Sequence, residues 1–298
     1  MRLARGLVDR ASTAGVPAWK LAMRFAASVV RSRFAALHAP CVRIDHRGTH
    51  MVADLSTALG VALYRYGLLA PEARLIEELL VPGDVFVDGG AHVGMFTLIG
   101  AAAVGSRGTV IACEPVPGTM ALLRANLALN EFAWVETHAV ALSHRPGRAE
   151  LFSFGSGSAL SSFAPESHAG REALLVDVTC LDVIAADRCD RIRLVKLDLE
   201  GAEVLALRGA QAVLRQGPDF IIEVERDHLE RQGTTIEEMA ATFASAGYRP
   251  YQIHGDRRSV VLVPLASWER QSPNPNIFLS TRRVSEFPAA VQIADIDA

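Results

Sequence analysis

The chain has 298 residues, half of them hydrophobic, enough to bury one large core or a core with an appendage. Its formal net charge of −3 excludes the broad basic footprint on which nucleic-acid binding relies. Cys41, Cys113, Cys180 and Cys189 show neither C-x-x-C spacing nor histidine partners, which points to reduced thiols in a cytoplasmic setting rather than to zinc or disulfides.

The first forty residues carry seven basic residues against only Asp9. From Ala18 to Leu37, apolar residues recur at helical spacing (Leu21, Phe25, Val29, Val30, Phe34, Leu37) but are interrupted by Arg24, Arg31 and Arg33. That pattern predicts a helical arm, not a membrane span or a secretory signal. Such an arm would cap the main domain, form a homodimer contact or touch an anionic membrane surface weakly. A strand pair is expected over Cys41 to Ile44 and His50 to Val52, around the Arg47-Gly48 turn. Helices should follow over Asp54 to Tyr66 and Pro71 to Leu80, the second opening on proline with Glu72, Glu77 and Glu78 on a polar face. The expected organisation is an arm and strand pair over 1–52, a main domain over 53–283 and a flexible C-terminal tail over 284–298.

The main domain alternates strands and helices. Val85 to Asp88 reads as a buried strand, Met95 to Ala103 as a helix, and Gly108 to Cys113 as a second strand. A helix over Gly118 to Asn130 should turn Leu122, Leu123, Leu127 and Leu129 to the core, before a third strand over Val135 to Val140. Residues 147 to 178 break the rhythm, with an edge strand over Leu151 to Phe154 and then a glycine-rich Gly155 to Ser162 loop, either a binding loop or a surface excursion. Alternation resumes with the Arg193 strand, a helix over Glu203 to Leu214, a strand over Asp219 to Glu225 and a helix over Thr235 to Gly247. Closing strands are expected near Ser259 to Val263 and Asn276 to Ser280. The alternation predicts a parallel sheet with helices on both faces.

Chemistry concentrates at the strand ends. The first turn reads Asp88-x-Gly90-x-x-x-Gly94, not the G-x-G-x-x-G of a dinucleotide site, and places a carboxylate where a diphosphate would be repelled. An acid there suits a cationic ligand such as S-adenosylmethionine, and Glu114 at the next strand end can accept hydrogen bonds from ribose hydroxyls. The glycines would let the backbone approach that ligand without a Cβ in the way. Asp198 and Glu223 or Glu225 end further strands, and buried carboxylates are costly unless paired or liganded. Lys196 lies inside its strand, suited to an ion pair with a neighbouring acid. Glu203 is favoured in a first helical turn by the helix dipole, while Glu200 suits a cap or a site equally.

Val87-Asp88-Gly89-Gly90-Ala91-His92-Val93-Gly94, Glu114-Pro115, the Lys196-x-Asp198-x-Glu200-Gly201-x-Glu203 string and Ile221-Ile222-Glu223 together resemble the FkbM-type family of S-adenosylmethionine-dependent methyltransferases. The similarity runs from about Ala53 to Leu279, and the family commonly has Asn where His92 stands. The resemblance implies a class I methyltransferase (Rossmann-like) α/β fold: a doubly wound, mostly parallel seven-stranded sheet with an N-terminal helical extension. It further implies that Asp88, Gly89, Gly90, Ala91 and Gly94 hold the methionine end of the cofactor, Glu114 and Pro115 the ribose, and Val140 one side of the adenine. The implied activity is O-methylation of a sugar, glycolipid or polyketide-type hydroxyl, with the arm and the Gly155 to Ser162 loop shaping the acceptor pocket. Asp198 is the first choice for a general base, with His92 and Glu223 after it. A variant is a Mg²⁺ site of Asp198, Glu223 and Glu225. Two other readings stay open: a nicotinamide-dependent oxidoreductase, and a catalytically silent cofactor-binding or scaffold protein on the same fold.

Overall fold

The structure, a computed structural model, describes residues 41–294 apart from 56, 58–59, 62, 65–69, 154–160, 163–171, 256–258 and 269–274. The expected arm and most of the Gly155 to Ser162 loop lie outside the described residues. The chain divides between Leu68 and Leu69 into two compact units.

In the first unit, β1 (Cys41–His46) pairs antiparallel with β2 (Thr49–Asp54). Arg47 (φ 48°) and Gly48 (φ 84°) link them. Two left-handed residues match the strand twist, which is why the register closes on His46 and Thr49. Alternate residues Met51 and Ala53 are buried, as are Leu55 and Val61. Asp54, expected to open a helix, instead ends β2.

The second unit begins with α1 (Pro71–Leu79), β3 (Val85–Gly89), α2 (Met95–Val104), β4 (Thr109–Cys113), α3 (Pro117–Ala128) and β5 (Val135–His138). At Ala139 the chain leaves the main sheet. β6 (Val140–Leu142), β7 (Gly147–Ser153), β8 (Ser161–Ser162) and β9 (Glu172–Thr179) form a separate four-stranded sheet in the order β6-β9-β7-β8. The segment read as one edge strand and a loop is thus a long antiparallel pairing of β7 with β9, over a small core of Val116, Ala141, Leu151, Val176 and Val178. The chain continues through α4 (Leu181–Ile184), β10 (Ile192–Leu197), α5 (Glu203–Arg208), α6 (Gln211–Gln216), β11 (Asp219–Glu223), α7 (Arg226–Arg231) and α8 (Ile236–Ser245). It closes with β12 (Arg249–Gly255), β13 (Val260–Pro264), β14 (Asn276–Ser280) and β15 (Val291–Ile293).

The main sheet has nine strands in the order β15-β13-β12-β14-β11-β10-β3-β4-β5. Five of its eight pairings are parallel, so the mostly parallel α/β class holds. The seven expected strands are joined by β12 and β15. The first was hidden because only Tyr251 and Ile253 are inward apolar residues, with Pro250 between strand-like neighbours. The second lies in the expected tail, where Val291 is buried and pairs with Val260.

Both sheet faces are covered. Val87, Val195, Leu197, Phe220 and Ile222 share one core with Val204 and Leu207 of α5, Val213 of α6 and Met239 and Phe243 of α8. Phe86 points to the other face, where Gly100 lets α2 lie against its ring; a Cβ there would come within 2.3 Å. Three local expectations need correction. Leu122 and Leu129 of the α3 region are exposed, because the buried stripe follows Thr119, Met120, Leu123 and Leu127 at three- and four-residue spacing. Glu72 is buried rather than on the polar face, whereas Glu77 and Glu78 both pair with Arg74.

Candidate active site

The strand order reverses between β3 and β10. From β3 the chain builds outward through β4 and β5, and from β10 it builds the other way through β11. A crevice outside the carboxyl ends of such a pair is where open α/β sheets bind ligands. Two segments meet there: the Gly89–Gly94 turn after β3 and the Asp198–Glu203 turn after β10.

The first turn is held by backbone bonds. Gly90 and Ala91 N–H donate to the Cys113 carbonyl at 3.0 and 2.9 Å, and Asp198 N–H donates to the Gly89 carbonyl at 3.1 Å. Gly90 has φ 77°, and a Cβ on it would stand 2.0 Å from the Asp198 carbonyl oxygen. This glycine therefore lets the two turns touch each other, a need distinct from the ligand approach expected of it. Gly94 (φ 96°) precedes α2, and a Cβ there would meet Leu123 at 2.5 Å. His92 is also left-handed at φ 51°. Asn and His are among the non-glycine residues that tolerate this region, which accounts for either residue at the loop tip.

Asp88 and Lys196 are partners on adjacent strands, one residue short of the rim. Both are buried on the α2 side of the sheet. Asp88 accepts a hydrogen bond from the Thr97 hydroxyl at 2.6 Å, so its carboxylate ties β3 to the first turn of α2 and does not stand at the crevice surface. Burial raises its pKa, against the opposing pull of Lys196. Lys196 Nζ donates to Asp198 Oδ2 at 2.9 Å and lies 4.6 Å from the Phe96 ring centroid. Burial alone would lower the pKa of this amine, but Asp198 and Asp88 outweigh it and raise the value. Asp198, one residue beyond β10, emerges with a third of its side chain exposed.

Glu114 follows β4 and faces the same crevice region. Its Oε2 accepts from His92 N–H at 3.0 Å and its Oε1 from Val116 N–H at 2.9 Å. Burial pushes its pKa up to about 7, against the two backbone donors. Each carboxylate oxygen accepting one hydrogen bond retains a lone pair for a ligand hydroxyl. Pro115, between these two anchors, fixes the backbone leaving Glu114.

The second turn is acidic. Glu203 is buried, and its Oε1 accepts from Leu199 N–H at 2.6 Å and Gly201 N–H at 3.3 Å; burial pushes its pKa up to about 7. It is thus the clamp of the 199–201 turn. Glu200 (φ 53°) and Gly201 (φ 103°) are both left-handed. A Cβ on Gly201 would come within 2.2 Å of the His228 carbonyl, so the turn sits directly on the start of α7. There Glu200 Oε2 stands 3.2 Å from His228 Nδ1. Burial, then repulsion from Asp198 and Glu203, pushes the Glu200 pKa up to about 8. Glu223, last in β11, is raised well above its ordinary value by burial and by the same neighbours.

The structure therefore gathers Gly89, Gly90, Ala91, Gly94, Glu114 and Asp198 at the switch point, with Asp88 below them. His92 supplies its backbone to Glu114. Glu223 joins Glu200 and His228, a histidine that sequence reasoning missed, in a cluster whose ligand atoms lie within 4.8 Å of one another; neither Asp198 nor Glu225 completes that group. Val140 belongs to the second sheet and packs, half-buried, against the main core.

A family model for the methyltransferase FkbM domain matches residues 88–250, a span containing both turns, Glu114, Glu223 and His228. The chain belongs to the FkbM methyltransferase family. The family, one of S-adenosylmethionine-dependent methyltransferases, agrees with the cofactor suggested by the strand ends. "Methyltransferase 1" of Beauveria bassiana (strain ARSEF 2860) is 28% identical over 152 residues, 43% of this chain and 59% of that relative. The methyltransferase FkbM of Methylobacillus flagellatus KT aligns with a TM-score of 0.44 at 17% identity, over 75% of this chain and 54% of that one. The chain so spans little more than half the length of either. M. jannaschii TYW2, in complex with AdoMet, aligns with a TM-score of 0.44 at 13% identity over 80% of this chain and 84% of that one.

Proposed function

We propose that this chain transfers a methyl group from S-adenosylmethionine to a hydroxyl oxygen of a sugar, glycolipid or polyketide-type acceptor. The observation that carries the reading is Glu114, fixed at the strand-order reversal by the N–H groups of His92 and Val116 with lone pairs to spare. The residues fit the cofactor: the emerging Asp198 carboxylate suits a nearby cationic sulfonium, and the N–H groups of Gly90, Ala91, His92 and Gly94 are already bonded within the protein instead of cradling a diphosphate. When bound, the cofactor supplies an electrophilic methyl group on a sulfonium.

The protein's share is binding, orientation and proton removal. Glu114 accepts the ribose hydroxyls, and the Gly89–Gly94 backbone lines the methionine end. Asp88 anchors the start of α2, which follows that turn, through Thr97. Lys196 fixes Asp198 by its Oδ2, which leaves Oδ1 to take a proton from an acceptor hydroxyl held in line. His92 Nε2 or Nδ1 is a second acceptor at the loop tip. Val140 would flank the adenine. No helix among the described residues is long and apolar enough to cross a membrane.

The test is incubation with S-adenosylmethionine and an extract of hydroxylated metabolites, read by mass spectrometry. A gain of one methyl group on a hydroxyl, lost in Asp198→Asn, is the expected result. Methylation at nitrogen or carbon only would overturn the O-methyl assignment.

A further inference from the structure

Beside the proposed cofactor crevice, the cluster of Glu200, Glu223 and His228 has no task in the proposed methyl transfer. The geometry is deliberate. Glu200 is held in a left-handed conformation that residues bearing a Cβ rarely adopt. The Glu203 clamp holds the turn in that shape, and Gly201 allows it to seat on the His228 backbone. The result is that one ligand atom from each of Glu200, Glu223 and His228 lies within 4.8 Å of the other two.

The charge balance of this corner is unusual. Asp198, Glu200, Glu203 and Glu223 crowd together, opposed by Lys196 and Arg231 and, when protonated, by His228. Lys196 is committed to Asp198. A second observation points to a ligand: Glu223 Oε2 is closed off from solvent and accepts no hydrogen bond from any described residue. A buried carboxylate oxygen with no donor costs free energy until a proton or a cation reaches it.

We propose that Glu200, Glu223 and His228 form a binding site for a first-row divalent cation. Two carboxylate oxygens and one imidazole nitrogen suit Mn²⁺, Fe²⁺, Co²⁺ or Zn²⁺ better than the all-oxygen preference of Mg²⁺ or Ca²⁺. The 3.2 Å separation of His228 Nδ1 from Glu200 Oε2 is close to the edge of a coordination polyhedron with bonds of about 2.0–2.2 Å. Three protein ligands leave positions open for water or for an acceptor oxygen, and the site adjoins Asp198. Binding a cation here is independent of whether the chain methylates oxygen. It differs from the Asp198, Glu223 and Glu225 set expected from the strand ends because the Glu200-Gly201 turn and α7 bring in Glu200 and His228 instead.

The experiment is titration of the full chain with Mn²⁺ at pH 8, followed by the loss of the free six-line electron paramagnetic resonance signal. Glu223→Gln and His228→Gln are measured in parallel, with near-ultraviolet circular dichroism and S-adenosylhomocysteine binding as checks of the fold. The proposal expects one Mn²⁺ per chain, with Kd raised at least tenfold in either folded variant, and competition by Zn²⁺. No uptake by the wild-type chain at millimolar Mn²⁺, or unchanged uptake in both variants, overturns it. Manganese binding without S-adenosylhomocysteine binding would keep the cation site and remove the methyltransfer reading; the reverse pattern would do the opposite.

Discussion

The turn after β3 with Glu114 and the turn after β10 with Glu223 and His228 stand side by side at one strand-order reversal, yet they treat charge in opposite ways. In the first, the rim carboxylate is fixed by backbone N–H groups and the glycines serve backbone packing. In the second, Glu203 takes up the backbone donors, and Glu200 and Glu223 are left crowded beside Asp198. A preformed hydrogen-bonded rim suits a neutral group such as a ribose diol, whereas a concentrated acidic corner suits a cation. Lys196, buried between Asp88 and Asp198, ties the two halves together.

The most damaging change to this arrangement should therefore be Lys196→Met. It leaves two acids without their ammonium, and removing one partner of a buried ion pair costs about 3–5 kcal/mol. Urea midpoints should fall accordingly, and a midpoint equal to wild type would break the link drawn between the halves. Next in size come Gly90→Ala and Gly201→Ala. Each combines a left-handed residue with a carbonyl about to be struck, for a loss on the order of 2–4 kcal/mol. The two should separate by function: Gly90→Ala displaces the Gly89–Gly94 turn and weakens S-adenosylhomocysteine binding, while Gly201→Ala displaces Glu200 from His228.

The pH dependence is smaller and has a definite sign. Glu114 and Glu203 have folded pKa values raised to about 7, so the folded state holds their protons more tightly than the unfolded chain does. Their contribution is intact below the ordinary carboxylate value near 4.5 and is lost as pH rises to about 7, at up to about 1.4 kcal/mol per pH unit for each group. The apo protein should melt at a higher temperature at pH 5 than at pH 7.5. Saturating S-adenosylhomocysteine should flatten the Glu114 share only, since ribose hydroxyls favour its charged form. The smallest effect belongs to the surface of α3. Leu122→Glu should change stability by less than about 0.5 kcal/mol, against about 2–5 for Leu123→Ala one position on. Equal losses at both positions would contradict the burial pattern described for that helix.

Much of this was legible in the sequence because strand ends are punctuated. Glycines after Val87-Asp88 and an acid-proline pair after Cys113 mark where chain leaves the sheet, and the K-x-D-x-E-G-x-E string marks the third exit. A one-residue offset was not legible. Asp88 is still inside β3 and turns sideways toward α2, whereas Asp198 has just left β10 and faces out; in a strand buried on both faces, periodicity gives no direction. His228 was missed because it belongs to no recognisable motif; only the left-handed Glu200-Gly201 turn brings it near Glu200. The second sheet was hidden because β7 and β9 are partners across eighteen intervening residues (154 to 171), a separation that local pattern cannot bridge. The expected third strand ran on to Val140, but β5 stops at His138 and Val140 opens the first strand of the second sheet.

Calorimetric titration of S-adenosylhomocysteine into the wild-type chain and Glu114→Gln bears most directly on the central claim. The account predicts one molecule bound per chain, and at least a tenfold loss of affinity, about 1.4 kcal/mol, in the variant, where an amide replaces a carboxylate held by two N–H donors. Absence of binding to folded wild-type protein at millimolar ligand, or equal affinity in the two proteins, would contradict it.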